Sequence, residues 1–281
     1  MKKVFCIVGF LVLAAQLPLW GYDTSPSYWQ IVPEAVWASA TGGGTWVTEV
    51  QITNFGADPA SITVYFDTST APGTGFVLPD IIPPLNSVKY SNILATIDAL
   101  DSSALEYYGK VGAIWFTTGI VTVPIQVQAQ TVNGNYGKTF PGLNVVEGNT
   151  AVLGRPMMIQ GLVRNATYRT SVGVYNPTTT TYTVRFTIVD ATNATVGVYF
   201  EKTLTTFLHL SFNPFVQAGI TTGTYDNCWL YMEVTAEDYT AAGLLFYGSI
   251  ANNYTNDTYA LIAKQHGSGA PPPASAPPIR H

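Results

Sequence analysis

The sequence predicts an all-β protein made of two similar β-sandwich units in tandem. Three observations support this prediction: an internal repeat, an alternation of apolar and polar residues along most of the chain, and regularly spaced clusters of Gly, Pro, Asn and Asp. Apolar residues at every second position indicate strands with one buried face, and the clusters mark the turns between strands. Two layers of such strands bury their apolar faces against each other.

The internal repeat relates positions that lie 122 residues apart. Segments 45–54 and 167–176 coincide at an aromatic residue, Trp46 or Tyr168, and at a strand-ending asparagine, Asn54 or Asn176. A turn and a second alternating strand follow each segment, at 61–66 and 183–188. Solenoid repeats are about 20–50 residues long, so this longer period indicates two folded units.

The repeat also predicts which side chains face the core. Trp46 and Tyr168 are expected at equivalent positions that border the two cores. The alternation places Val50, Ile52, Val172 and Val174 in the interiors, and Glu49 and Gln51 at the surface.

The later strands and one short helix follow from the same patterns. Residues 125–131 alternate apolar side chains with three glutamines, and 229–234 place Leu230, Met232 and Val234 on one face. Segments 111–116 and 242–250 are more continuously apolar, which is typical of central strands that are buried on both faces. A helical stripe predicts a short helix over 93–105, with a weaker counterpart at 215–227.

The N-terminal residues 1–21 are predicted to be a secretory signal peptide. Lys2 and Lys3 precede an apolar run that ends near Leu19, and the sequence becomes polar from Tyr22 onward. A retained membrane anchor is the alternative, because the run approaches the length of a spanning helix. The signal peptide predicts a secreted or cell-surface protein with no membrane span after cleavage.

The remaining chain divides into three predicted parts. The first unit covers 22–145 and the second 146–265, each with about seven or eight strand candidates, which is the size of an immunoglobulin-like sandwich. Residues 266–281 contain the run Gly-Ser-Gly-Ala-Pro-Pro-Pro-Ala-Ser-Ala-Pro-Pro. This tail has no large apolar side chain before Ile279, so a disordered or polyproline II conformation is expected.

Two motifs resemble those of a loosely defined family of secreted bacterial proteins with tandem immunoglobulin-like sandwich repeats. One is the strand from Trp46 to Asn54, and the other is the closing segment Gly134-Asn135-Tyr136-Gly137-Lys138-Thr139-Phe140-Pro141. The second unit departs from the closing motif at 252–257, where asparagines replace the glycines. The resemblance implies an extracellular sandwich protein without established catalytic residues.

The composition argues against nucleic acid as a partner. Only 10% of the residues are charged, and loss of Lys2 and Lys3 with the signal would leave 10 basic against 17 acidic residues, a net charge of −7. Nucleic-acid binding needs clustered Lys and Arg. Low surface charge also reduces the repulsion between copies, so self-association is plausible.

The sequence offers no recognisable catalytic, metal or cofactor motif, so a non-enzymatic protein without cofactors is predicted. The three histidines are far apart in the sequence, and no Gly-x-Ser-x-Gly turn or glycine-rich phosphate loop occurs. Loss of Cys6 with the signal would leave Cys228, which is read as a small buried side chain. His209 alternates with apolar neighbours and is expected to face water or a hydrogen-bonding partner.

The aromatic residues provide the candidate contact site. Tyr22, Tyr28 and Trp29 cluster before the first repeated strand, and they have no counterpart in the short linker 145–150. This segment could dock on the sheet edge of another copy or of another cell-surface protein, or it could complete the sheet of its own unit. The leading prediction is therefore a structural or interaction protein, such as a filament subunit. A carbohydrate-binding module that stacks loop aromatics on a polysaccharide is the alternative.

Overall fold

The computed structural model describes residues 23–40, 43–70, 72–102, 106–144, 156–236 and 243–265. The prediction of an all-β protein is confirmed, with 59% of residues in strands and 6% in helices. The signal peptide, Tyr22, the linker 145–150 and the Pro-rich tail lie outside the described residues. No helix among the described residues has the length and apolar character needed to cross a membrane.

The described part of residues 23–144, called the first half below, contains eight strands and one helix. In chain order these are β1 Trp29–Ser39, β2 Thr45–Asn54, β3 Ala60–Thr68, β4 Phe76–Ile82, β5 Ser87–Tyr90, α1 Ile93–Leu100, β6 Lys110–Thr117, β7 Ile125–Asn133 and β8 Tyr136–Pro141.

Residues 156–265, the second half, follow the same order of elements. They are β9 Met157–Arg164, β10 Tyr168–Tyr175, β11 Tyr182–Val189, β12 Phe200–Leu204, β13 His209–Phe212, α2 Pro214–Gln217, β14 Tyr225–Ala236, β15 Leu245–Asn252, β16 Thr258–Ile262 and β17 Lys264–Gln265.

The strand pairings of the two halves correspond one to one. The second half has two antiparallel sheets, with the orders β12-β11-β14-β9-β17 and β13-β10-β15-β16. The first half has the matching runs β4-β3-β6-β1 and β5-β2-β7-β8, with only the short β17 lacking a counterpart. The arrangement is consistent with the predicted sandwich, and the repeat in the sequence is therefore also a repeat of topology.

The two halves differ in how their layers are connected. In the first half, hydrogen bonds between β1 and β2 join both runs into one eight-stranded sheet, with Trp37 opposite Val47 and Ser39 opposite Thr45. The pairing of β1 with β6 shifts register between Val32 and Ala35. Such a bulge bends a strand and increases its twist, which allows the long β1 to take part in both layers.

Both helices are shorter than the sequence predicts. Helix α1 ends at Leu100, because the next residue, Asp101, has an extended backbone with φ −84° and ψ 108°. An asparagine side chain caps each helix at its start: Asn92 accepts from the backbone N–H of Ala95, and Asn213 accepts from those of Phe215 and Val216. These caps satisfy amide groups that have no partner within a helix.

The core positions follow the predicted alternation. Val50, Ile52, Val172 and Val174 are fully buried, whereas Gln51 is exposed. Cys228 is buried and has a free thiol, as expected for a small core side chain. Trp46 is half-buried and Tyr168 is 37% exposed, so both border a core.

Truncation of the buried valines should destabilise the protein, whereas truncation of their surface neighbour should not. We expect Val50→Ala or Val172→Ala to lower the free energy of unfolding by about 1–3 kcal/mol, through lost burial and a residual cavity. Gln51→Ala is the control and should change it by less than about 0.5 kcal/mol. Urea melts measure both values. Equal losses of stability for the buried valines and for Gln51 would contradict the assignment of buried and surface positions on these strands.

The halves pack against each other through apolar and polar contacts. Ile31, Ala113 and Leu143 of the first half belong to the buried cluster of the second half, and Tyr247 belongs to that of the first. Strand β15 is buried on both faces, because its outer face meets the first half. This packing explains the continuous apolar run at 242–250, whereas the equivalent strand β7 alternates and presents its glutamines to solvent.

Candidate functional site: an aromatic cleft between the two halves

A cleft of about 400 Å³ opens where the two halves meet. This size falls within the range of small-ligand pockets in proteins. Its lining is mostly aromatic and consists of Tyr28, Trp29, Tyr65, Asp67, Pro72, Gly73, Trp115, Thr117 and Phe207. Phe207 comes from the second half, so the complete cleft requires both halves.

The rings of this aromatic cleft contact one another at angles typical of packed aromatic pairs. Trp29 and Trp115 lie 5.3 Å apart between ring centroids and are tilted by 55°. Tyr28 stacks beside Trp29 at 6.1 Å, and Phe207 meets Trp115 edge to face at 5.9 Å. Tyr28 is 36% exposed, and the other rings are half-buried, so the cleft presents ring surface to solvent.

Strand pairing explains why these residues converge. Trp29 is the first residue of β1 and pairs with Thr117 of β6, and Trp115 pairs with Tyr65 of β3. Side chains two positions apart on a strand share a face, and directly paired residues share it too. Three neighbouring strands therefore place their aromatic side chains on one outer face of the first half.

Phe207 reaches the cleft from a turn with an unusual backbone. Its φ is 50°, in the left-handed region that bulky residues rarely adopt. The equivalent residue of the first half, Leu85, has a φ of 58°, so the turn belongs to the repeat. Leu85 is 78% exposed, whereas Phe207 packs on Trp115. The second half thus uses a repeated turn to extend the cleft.

A buried hydrogen-bond chain fixes the floor of the cleft. Tyr175 of the second half donates its hydroxyl to Asp67 Oδ2 and accepts from the indole N–H of Trp115. The other carboxylate oxygen of Asp67 accepts from the backbone N–H of Gly73 at 2.6 Å. Burial raises the pKa of Asp67, and burial together with Asp67 raises the pKa of Tyr175. Both oxygens of Asp67 are engaged, so this carboxylate anchors the second half to the wall of the cleft.

A second polar group, called the interface network below, lies deeper between the halves. Lys138 Nζ lies 2.5 Å from Glu34 Oε1 and donates to Ser249 Oγ at 3.1 Å. His209 Nε2 and the Tyr247 hydroxyl are 2.7 Å apart. All four titratable side chains are about nine-tenths buried or more. The pKa of His209 is lowered to about 4, chiefly by burial, with Glu34 opposing the shift and Lys138 contributing to it.

Acidification should weaken the fold through His209. The unfolded chain binds a proton near pH 6.5, whereas the folded chain resists protonation of His209 until about pH 4. Because the unfolded state binds more protons in this window, the stability is present above pH 6.5 and is lost as the pH falls. We expect a loss on the order of 3 kcal/mol between these limits.

Urea unfolding across this pH window measures the effect. The control is His209→Gln, which removes the titrating group, so the variant should lose less stability on acidification than the original chain. Asp67, with its raised pKa, contributes in the opposite direction and is present in both chains. Equal pH dependence of both chains would show that His209 is not responsible.

The structure places the predicted contact residues as follows. Tyr22 lies outside the described residues, and Tyr28 and Trp29 line the aromatic cleft. Their segment is bonded to its own chain, since Ser27 N–H donates to Ile125 O at 3.0 Å and Asn144 N–H donates to Asp23 O at 2.7 Å. This arrangement matches the alternative in which the segment completes its own unit.

The other cleft residues were not predicted as site residues. Trp115 belongs to the segment 111–116 that the sequence predicts to be a buried central strand, and Tyr65, Asp67 and Phe207 carry no motif. The signal that could have indicated them is the alternation around Trp115, whose neighbours Ile114 and Phe116 already fill the core face. A large aromatic residue on the opposite face of a strand needs a second packing partner.

Among the described residues, no group of three or more His, Cys, Asp or Glu side chains could hold a metal ion. No protein-family model and no characterised protein matches this chain, so its membership in the group of secreted tandem-sandwich proteins remains a prediction.

Proposed function

We propose that this protein is a non-catalytic extracellular interaction protein that binds its partner in the aromatic cleft. The observation that carries the proposal is the set of five half-buried or exposed rings, contributed by both halves, around one cleft. Aromatic rings supply large and rigid contact area at a small entropic cost. Binding energy tends to concentrate in such central aromatic residues.

We also propose that each half is an immunoglobulin-like domain. The pairings β1-β6-β3 and β2-β7-β8 match the orders B-E-D and C-F-G of that sandwich, with the β4–β5 segment inserted before strand E. The equivalent pairings β9-β14-β11 and β10-β15-β16 support the same assignment for the second half. The domain limits proposed from the sequence are 22–145 and 146–265.

The mechanism would be passive presentation of a preformed surface. The Lys138–Ser249 hydrogen bond of the interface network and the Asp67–Tyr175 hydrogen bond tie the two halves together. A fixed contact keeps Phe207 against Trp115, so little conformational entropy is lost when a ligand binds. Export is supported by the N-terminal segment 1–21, and the low charge of the chain suits a surface that meets other molecules.

A polysaccharide is the second candidate ligand. Trp29 and Trp115 pack against each other at 5.3 Å, and a sugar ring would stack on the surface that this indole pair leaves open to solvent. In this case the protein would be a carbohydrate-binding module, which is the alternative function predicted from the sequence.

Removal of Trp29 should abolish binding in the cleft. We expect a ligand found by screening proline-rich peptides and glycans to change the tryptophan emission saturably, and Trp29→Ala to weaken its binding at least about tenfold. Tyr259→Ala is the matched control, because Tyr259 is an exposed aromatic residue on β16, outside the cleft. Ligand binding that is unaffected by both Trp29→Ala and Phe207→Ala would place the function elsewhere.

A further inference from the structure

We propose that the aromatic cleft is occupied by the Pro-rich tail of the same chain, with residues 271–278 bound in the polyproline II conformation. This inference rests on the proposed function, because it names the occupant of the cleft proposed above. The tail contains five prolines within eight residues: Pro271, Pro272, Pro273, Pro277 and Pro278. The cleft and the tail complement each other in chemistry, in reach and in the entropy of docking.

The chemistry of the cleft suits proline. Proline-rich segments dock in grooves lined by aromatic side chains, and their preformed helix loses little entropy on binding. The cleft offers two tryptophans, two tyrosines and a phenylalanine. The indole N–H of Trp29 has no hydrogen-bond partner among the described residues, whereas that of Trp115 donates to Tyr175. A polyproline II segment leaves its carbonyl groups free, so Trp29 can donate to one of them.

The last described strands lie near the strand that carries Tyr175. The backbone N–H of Ala263 donates to Phe246 O at 3.3 Å, and Phe246 pairs with Val174 on the neighbouring strand β10. Val174 precedes Tyr175, whose hydroxyl contacts Trp115 in the cleft. Two strand spacings, about 10 Å, therefore separate Ala263 from the strand that carries Tyr175.

The last described strand lies beside the first strand of the second half. Strand β17 runs antiparallel to β9, and Gln265 pairs with Met157 at the beginning of that strand. Met157 is the first residue of β9, so the last described residue lies at the end of the second half where the chain arrives from the first half. Residues 266–270 can span up to about 17 Å when extended, so Pro271 can lie up to that distance from Gln265.

Docking within one chain is favoured over docking between copies. A short tether gives its own segment an effective concentration in the millimolar range, which exceeds the concentration of other copies in dilute solution. The tail would therefore cover the aromatic surface until a competing ligand displaces it.

The test uses the full chain and a variant in which all five prolines of the tail are replaced by serine. We expect the serine variant to show red-shifted tryptophan emission and stronger acrylamide quenching, because Trp29 and Trp115 lose their cover. A synthetic peptide of residues 267–279 should bind the serine variant saturably and reverse both changes. The unsubstituted chain should bind the same peptide at least about tenfold more weakly, because its own tail competes.

Control peptides and variants test whether the fluorescence changes arise from binding in the cleft. A peptide with serines in place of the prolines should not bind, and Trp29→Ala in the serine variant should abolish binding of the proline peptide, whereas Tyr259→Ala should not. Identical emission and quenching in both chains, together with no peptide binding, would overturn the proposal. The unsubstituted chain could instead form oligomers as its concentration rises, while the serine variant stays monomeric. This result would overturn docking within one chain and show that the tail of one copy binds the cleft of another.

The outcomes also separate this inference from the proposed function. The serine variant could fail to bind the tail peptide but bind another ligand in a way that depends on Trp29. This result would overturn the role of the tail and leave the proposed function in place. A cleft that binds neither the peptide nor any other ligand would contradict both.

Discussion

Replacement of Glu34 by Gln is expected to lower the free energy of unfolding by about 3–5 kcal/mol. Glu34 is the counter-ion of Lys138, and their side chains are only 8% and 10% exposed. Removal of one partner leaves the other charge buried without compensation, which costs more than the pair itself contributes. Glu34 also accepts a hydrogen bond from Tyr247, so the substitution weakens one contact within the first half and one contact between the halves.

The chain contains a matched control for this prediction. Lys89 and Glu49 form an ion pair of similar length, 2.6 Å, but their side chains are 60% and 26% exposed. Solvent screens such a pair, so Glu49→Gln should cost less than about 1 kcal/mol. The double variant Glu34→Leu with Lys138→Met should be more stable than either single variant, because no buried charge remains. Equal effects of Glu34→Gln and Glu49→Gln in urea melts would show that Lys138 finds water or another partner.

Replacement of Asn176 by Ala is expected to cost about 3 kcal/mol or more. The side chain is fully buried, and its amide donates to the carbonyl groups of Thr180, Leu204 and Thr205. Its oxygen accepts from the backbone N–H of Thr178 at 3.0 Å. Each buried polar group that loses its hydrogen-bond partner costs about 1–3 kcal/mol, and this substitution leaves several such groups without a partner.

The first half offers an independent test of the same interaction. Asn54, at the equivalent position, donates to the carbonyl groups of Asp58 and Ile82 and accepts from the N–H of Gly56. Asn54→Ala should therefore also destabilise, and thermal or urea unfolding measures both variants. Asn86→Ala is the control, since the amide of Asn86 bonds at the surface and its loss should cost less than about 0.5 kcal/mol. A small effect at both Asn54 and Asn176 would mean that water replaces the lost donors.

Together these two predictions separate the stability of each half from the contact between the halves. The asparagines act within a half, where each one joins the end of a repeated strand to two neighbouring segments. The interface network acts between the halves and keeps Phe207 beside Trp115. A Glu34 variant that still folds should therefore lose ligand affinity in the cleft together with stability.

The sequence alone determined the class of fold, the repeat and the inward-facing side chains. These features depend on local rules, since alternation at every second position specifies a strand and its buried face. The positions of Val50, Val172 and the strand-ending asparagines follow from such rules. The offset of 122 residues also predicted that strands and turns would occur in matching pairs.

Only the tertiary structure decided which surfaces meet. A strand with two apolar faces, such as β15, must be covered twice, but its sequence does not specify the covering surface. Trp115, Asp67 and Phe207 lie far apart in the chain, and the packing of the two halves brings them to one cleft. Side-chain contacts between distant segments depend on the geometry of the whole molecule, so neither the aromatic cleft nor the buried Lys138–Glu34 pair could be predicted from local pattern.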